Sequence, residues 1–141
     1  MASGFLFFAY GDMASEAYMT QVHALSDLMG NAKATDQRFT FTADGHANMK
    51  PETGSHTWGT LWMVPAKAMV ELDELATAKG LQRGVVYVVS PAGPRVPATV
   101  YANGEAPEGK PSFECLVAAQ QAAESMKLDR RFRKELAGWK P

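Results

Sequence analysis

The residues best placed for chemistry follow the first apolar segment of the chain, in the run Tyr10-Gly11-Asp12-Met13-Ala14. A glycine directly after a buried strand lets backbone N–H groups approach a ligand closely, and the N-terminus of a following helix favours an anion. This junction therefore predicts a ligand-binding loop. An ordinary turn in which Asp12 caps the helix is the alternative interpretation.

A second candidate is the acidic helix that contains Glu71, Asp73 and Glu74. A carboxylate held against an apolar wall can have its pKa raised and can then act as a general base. Acidic residues on a helix also form ordinary solvated faces, so this pattern leaves both interpretations open.

Histidine, tyrosine and cysteine side chains give weaker signals. The chain has three histidines, His23, His46 and His56. They lack the spacing of metal ligands, so no metal site is predicted from them. His46 follows Asp44-Gly45 in a loop and can reach a pocket, whereas the other two suit structural or exposed positions. Tyr101 can line a pocket from its strand, or belong to the core. Cys115 lies early in a helix, where it is either activated by the helix dipole or simply packed.

Composition limits the classes of function. The chain has 141 residues, enough for one domain, which we place at residues 1–141. Fourteen Lys plus Arg against fifteen Asp plus Glu give a net charge of −1, which does not favour a nucleic-acid or membrane-surface partner. The single cysteine excludes an intrachain disulfide, and we expect a cytoplasmic location. Signatures for a Ser-His-Asp triad, a phosphate loop or a dinucleotide fold are missing from the sequence.

The elements that must position these residues follow from hydrophobic periodicity. Short aromatic and β-branched runs predict strands at 5–10, 38–42, 57–64, 85–89 and 98–102. Apolar residues at helical spacing predict helices over 15–29, from Pro65 through Ala76, over 113–126 with Ser112 as N-cap, and over 130–136. This mixed order predicts an α+β domain, and the short aromatic strands favour a small mixed β-barrel with flanking helices.

The order of several motifs resembles the gamma-glutamylcyclotransferase-like superfamily. The run Phe7-Phe8-Ala9-Tyr10-Gly11-Asp12-Met13 resembles its opening Phe-Ala-Tyr-Gly-Ser-Asn signature. The run Trp58-Gly59-Thr60-Leu61-Trp62, preceded by Ala47-Asn48-Met49 and Gly54, resembles its central stretch ending in Trp-Gly-Val-Leu-Trp. Leu72-Asp73 resembles the start of its Leu-Asp-x-x-Glu-Gly motif, and Val86-Tyr87 resembles the strand that follows. Pro111-Ser112 resembles the beginning of its C-terminal helix.

The resemblance implies a small barrel with a pocket beside the Tyr10–Met13 loop. In the family, backbone groups of that loop hold the substrate, and a glutamate takes a proton from the substrate's α-amine. The freed amine attacks the γ-carbonyl, which gives 5-oxoproline and releases an amine or amino acid without a cofactor or metal. Carried over to this chain, the loop gives Tyr10, Gly11 and Met13 as substrate-binding residues, and we add His46 and Tyr101 as the pocket candidates described above.

This sequence departs from the family pattern at two places. Asp12-Met13 stands where the family has Ser-Asn, so a carboxylate enters the loop. The catalytic glutamate falls on Ala76 if Leu72-Asp73 is aligned without a gap, and on Lys79 if Lys79-Gly80 is aligned with Glu-Gly. Neither side chain can act as the glutamate does at neutral pH.

Three hypotheses follow. The first is a divergent enzyme that acts on a small amine- or carboxylate-bearing substrate beside the Tyr10–Met13 loop, with Asp12 as acid or base. The second is an orthodox gamma-glutamylcyclotransferase in which Glu74 serves as a displaced base. The third is a non-catalytic domain that binds a small ligand or a partner. The chain is expected to be a monomer or a homodimer.

Overall fold

The aromatic and β-branched segments form a closed barrel. The computed structural model describes residues 4–22, 26–90 and 93–141. The described strands are β1 (Gly4–Tyr10), β2 (Asp27–Phe41), β3 (Ala47–Pro65), β4 (Gln82–Val89) and β5 (Arg95–Ala102). Their order around the barrel is β1-β3-β2-β4-β5, with antiparallel neighbours apart from the parallel contact between β1 and β5.

Helices flank this barrel. A 3-10 turn at Gly11–Ala14 leads into α1 (Glu16–Val22), and α2 (Ala66–Ala78) connects β3 to β4. After β5 come α3 (Phe113–Ser125) and α4 (Arg130–Ala137). The prediction of an α+β fold, a small mixed barrel with flanking helices, is confirmed.

Alternation along β1 supplies two separate apolar cores. Phe8 and Tyr10 face the core that includes residues of α3 and α4, whereas Phe7 and Ala9 face the core that includes residues of α2. This follows from the period of two in a strand, which sends successive side chains to opposite faces. Phe7 and Phe8 are almost completely buried, so replacing either with alanine would cost about 3–5 kcal/mol.

The predicted first helix is too long. Residues 27–29 belong to β2, where Asp27 pairs with Met63 and Leu28 with Trp62 of β3. Pairing with this buried strand overrides the helical spacing of Tyr18, Val22, Leu25 and Met29. Leu25 lies outside the described residues, and the Met29 side chain is exposed. The predicted strands 38–42 and 57–64 are parts of the much longer β2 and β3.

Candidate functional site

The turn after β1 is buried, and its glycine is required. Gly11 has φ +64°, in the left-handed region, and a Cβ placed there would lie 2.5 Å from the Cβ of Ala47. The hydroxyl of Tyr10 donates to the backbone oxygen of Tyr101 at 2.6 Å, and burial raises the pKa of that hydroxyl. Within Gly11–Ala14 only Asp12 is not buried, and it does not cap the turn. The turn thus holds Asp12 on a rigid backbone.

Asp12 forms an ion pair with Lys79, the residue that follows α2. The Lys79 Nζ lies 3.2 Å from Asp12 Oδ2, and the two side chains are only 21% and 19% exposed. The Tyr18 ring of α1 lies beside the ammonium, with its centroid 5.8 Å from Nζ. Burial acts to lower the pKa of Lys79, but Asp12 and Tyr18 outweigh it and raise that pKa. Lys79 is therefore positively charged at neutral pH.

Lys79 also lines a groove of about 770 Å³, which we call the main groove. β4 lines it through residues 82–86, and Gln37 of β2 lines it together with Met49 and Pro51 of β3. Further lining comes from residues 42–44 before β3, from β5 and from the loop after β5 at residues 103–107. The lining does not include residues 10–13 or His46, so the turn after β1 reaches the groove through the Asp12–Lys79 contact.

Two asparagines hold the groove in shape. The buried Asn48 donates from Nδ2 to the Asn103 oxygen at 2.8 Å and accepts from the Asn103 backbone N–H at 2.9 Å. Asn103 in turn donates to the Gly80 oxygen at 3.0 Å. This chain of hydrogen bonds ties β3 to the segment that carries Lys79, since buried amides are stable only when they are paired.

A second polar cluster lies next to the main groove. The Tyr101 hydroxyl donates to Asp73 Oδ1 at 2.5 Å, and Arg83 binds the same carboxylate with two hydrogen bonds, at 3.0 and 2.6 Å. The Arg83 hydrogen bond, and secondarily that of Tyr101, lowers the pKa of Asp73 despite an opposing effect of burial. These three residues line a cavity of about 500 Å³ that shares Gly80, Gln82 and Arg83 with the main groove. Tyr101 is thus a cavity residue, but its hydroxyl is already engaged.

Two acidic residues of α2 were candidates for a base. Glu71 and Glu74 are exposed, and neither lines the main groove. Ala76, one of the two positions aligned with the family's glutamate, is buried in the core beneath α2. The other, Lys79, contacts the turn after β1. The position of Glu74 therefore gives no support to its predicted role as a base.

The remaining candidates are dispersed. His46 is half-buried in the turn between β2 and β3, and His56 is exposed on β3. His23 lies outside the described residues. Cys115 is buried at the start of α3, where burial and the charge of Asp12 raise the pKa of the thiol to about 11. Burial and the raised pKa both favour the packing interpretation over an activated thiol.

Two further properties concern the described part of the chain. Its histidine, cysteine and acidic side chains form no cluster of three or more that could hold a metal ion. None of its helices is long and apolar enough to cross a membrane.

Sequence reasoning did not name Lys79 or Arg83 as site residues. In the sequence, Lys79 was notable only as one of the two positions aligned with the family's glutamate. A single lysine after a helix does not indicate a contact with Asp12, 67 residues earlier. Asn48 was notable only as part of the Ala47-Asn48-Met49 run, and Asn103 only as a turn residue. Their pairing depends on how the barrel closes, which local sequence does not encode.

Comparisons with known proteins support the same fold. No protein-family model and no curated protein sequence matches the chain. A solved structure of a gamma-glutamyl cyclotransferase matches with a TM-score of 0.88 at 20% identity, over 99% of this chain and 89% of that one. An uncharacterized protein from Homo sapiens, loc79017, matches at 0.87 with 19% identity, over 98% and 89%. An AIG2-like protein from Mus musculus matches at 0.60 with 18% identity, over 80% and 82%. These similarities establish the gamma-glutamylcyclotransferase-like fold.

Proposed function

Starting from the gamma-glutamyl cyclotransferase fold, we propose that this chain is a divergent enzyme that acts on a small molecule carrying an amine and a carboxylate. The observation that carries the proposal is the Lys79–Asp12 ion pair, with 3.2 Å between Nζ and Oδ2, beside the main groove. Asp12 stands where the resemblance places a serine, and Lys79 stands where one of the two alignments places the glutamate. Together they present one positive and one negative group side by side.

This pair is complementary to the head group of an amino acid. A substrate carboxylate that takes the place of Asp12 at the Lys79 ammonium leaves Asp12 free to accept the substrate's amine. Charge-assisted hydrogen bonds of this kind are about twice as strong as neutral ones. Both side chains are about four-fifths buried, which strengthens them further. The raised pKa of Lys79 suits a carboxylate-binding cation and not a nucleophile or base.

The proposed reaction is an acyl transfer within the substrate. The substrate amine reacts in its neutral form: Asp12 accepts one of its protons, and the amine nitrogen forms a bond to a carbonyl carbon of the same molecule. The bond from that carbon to the leaving group breaks, and the leaving group takes the proton from Asp12. Holding both reacting groups in one molecule supplies proximity, and Asp12 supplies general-base catalysis.

Binding without turnover is the second candidate. It is favoured by one observation: a lysine, and not a glutamate, is the residue that contacts the turn after β1. In that case Lys79 and Asp12 hold the same class of ligand, and no bond is broken. An orthodox reaction with Glu74 as base remains the third hypothesis.

The experiment combines turnover and binding on the same variants. The protein is incubated with a panel of γ-glutamyl amines and other amino-acid derivatives, and products are identified by mass spectrometry. Binding is followed by thermal shift. The variants are Asp12→Asn, Lys79→Met and, as a matched acidic control on exposed α2, Glu74→Gln.

We expect Asp12→Asn to lower kcat by about 10²- to 10⁴-fold, the usual contribution of a general base, while ligand binding persists. Lys79→Met should weaken binding, and Glu74→Gln should behave as the parent protein. Full turnover in Asp12→Asn would overturn the role of Asp12. Loss of turnover in Glu74→Gln alone would favour the displaced glutamate, and binding with no product from the parent protein would favour the second candidate.

A further inference from the structure

The barrel is weakly closed between β2 and β4. Within the described residues these strands pair at two positions only, Lys33 with Val89 and Ala34 with Val88. On its other edge β4 pairs with β5 along its whole length, from Gln82 to Val89. The first half of β4 therefore has a strand neighbour on one side, and the main groove occupies the other side.

The backbone groups that face the groove can be identified. Thr35 of β2 donates its hydroxyl to the Tyr87 oxygen at 3.5 Å, so the Tyr87 carbonyl points toward β2. Tyr87 pairs with Pro97 of β5, and proline has no N–H to donate. This pairing fits a Tyr87 whose backbone hydrogen bonds point away from β5. Alternate residues of a strand direct their N–H and C=O to the same edge. The N–H and C=O of Arg83 and Val85 therefore face the groove.

The groove offers room and an apolar floor beside this open edge. Gly84, between Arg83 and Val85, has no atom within 4 Å of the position where a Cβ would stand. Val86 and Val100 line the groove and are buried, whereas the outward side chain of Val85 is 71% exposed. A strand added here could therefore place one apolar side chain opposite Gly84, directed at the barrel interior.

We propose that the main groove binds an extended peptide, which adds as a strand to the free edge of β4. Exposed strand edges recognise extended peptides in this manner, with main-chain hydrogen bonds for affinity and alternate side chains for specificity. Lys79 precedes β4 and carries a positive charge, so it is complementary to a C-terminal carboxylate. That placement orients the peptide antiparallel to β4, with an apolar residue opposite Gly84. This inference goes beyond the proposed function and shares Lys79 and the main groove with it.

The test uses defined peptides and backbone amide NMR of the full chain. The probe is acetyl-Ala-Thr-Leu-Thr-Ala with a free carboxylate, in which leucine is placed opposite Gly84 and the two threonines opposite Val85 and Arg83. Matched probes carry glycine for leucine, a C-terminal amide, or a single N-methyl group on leucine or on either threonine. We expect saturable shifts at the amides of Arg83 and Val85.

The N-methyl probes decide whether the peptide is bound as a strand. Methylation of either threonine nitrogen should weaken binding about tenfold, since it removes a hydrogen bond to β4, whereas methylation of the leucine nitrogen should be tolerated. The amide and glycine probes should bind more weakly than the parent peptide. Val85→Pro should weaken binding and Val85→Ala should not, because only proline removes the N–H.

Several results would overturn the inference. These are equal effects of all three N-methyl groups, shifts confined to residues outside the main groove, or no saturable shift up to the solubility limit. Shifts at Arg83 and Val85 that depend on protein concentration without peptide would assign the edge to a second copy of the chain instead. Peptide binding is read from amide shifts without any turnover, so failure here is distinguishable from failure of the proposed reaction.

Discussion

The ion pair between Lys79 and Asp12 should show a measurable coupling energy. The perturbation is a double-mutant cycle made of Asp12→Asn, Lys79→Met and the double variant. At the observed separation of 3.2 Å, an effective dielectric constant of about 20 gives an attraction of roughly 5 kcal/mol. Desolvation and the ordering of a long lysine side chain offset most of this. Net values for hydrogen bonds to charged groups are about 1.5–3 kcal/mol.

The exposed fraction of the two side chains then sets the expected coupling energy. Because the two side chains keep 21% and 19% of their exposure, we expect a coupling of about 1–2 kcal/mol in the free energy of unfolding. Arg133 and Glu124 supply a matched control, since they are also 3.2 Å apart but Glu124 is 67% exposed. That surface pair should give about 0.2–0.5 kcal/mol.

The assay is urea unfolding of each variant at pH 7 and pH 9. The raised pKa of Lys79 means that its contribution is complete below the ordinary lysine value of 10.5 and is lost only as pH rises through the higher native value. The coupling should therefore be the same at both pH values. A coupling below about 0.3 kcal/mol, which is the scatter of additive sites, would refute the pair and the function built on it.

Three further predictions concern the residues around the pair. Gly11→Ala should destabilise the protein by about 2–4 kcal/mol, from left-handed strain and the contact with Ala47. Gly80→Ala, at a similar φ of +75° but in open space, should cost about 1–2 kcal/mol, and equal losses in urea unfolding would contradict the steric argument. Cys115, with its pKa raised to about 11, should react with iodoacetamide at pH 8 at least about tenfold more slowly in the native than in the unfolded protein, and similar rates would be inconsistent with its burial. Ser112→Ala should cost about 1 kcal/mol in urea unfolding because it removes the acceptor for the Cys115 N–H at the start of α3; an unchanged midpoint would mean that this cap is not formed in solution.

Local pattern was sufficient for much of the fold. β1, α2, α3 and α4 carry clear periodicity and lie close to their predicted bounds, and Ser112 caps α3 as expected. The failure at residues 27–29 has a tertiary cause, because pairing with β3 decides their conformation. The strand predicted at 85–89 likewise begins earlier, at Gln82, because pairing with β5, including Gly84 with Val100, keeps these residues extended.

The site was less accessible to sequence reasoning. Asp12 was identified because strand, glycine and acid follow one another locally. Glu74 can replace the family's glutamate only if α2 is rotated or shifted, since neighbouring residues on a helix point about 100° apart, and its side chain is exposed in the structure. Tyr101 belongs to a cavity, yet only the fold reveals that Asp73 and Arg83 engage its hydroxyl region.

Asp12 and Lys79, which stand where the resemblance places a serine and, in one of the two alignments, the glutamate, are matched to each other in the structure. A glutamate at position 79 would place a second carboxylate close to Asp12 in a site that is about four-fifths buried, where like charges repel strongly. A serine at position 12 would leave the Lys79 ammonium part-buried without its charged partner, at a cost of about 1–3 kcal/mol. Each residue is therefore suited to the site in the presence of the other. The overall charge of −1 conceals this exchange, because it is a rearrangement of charge within one contact.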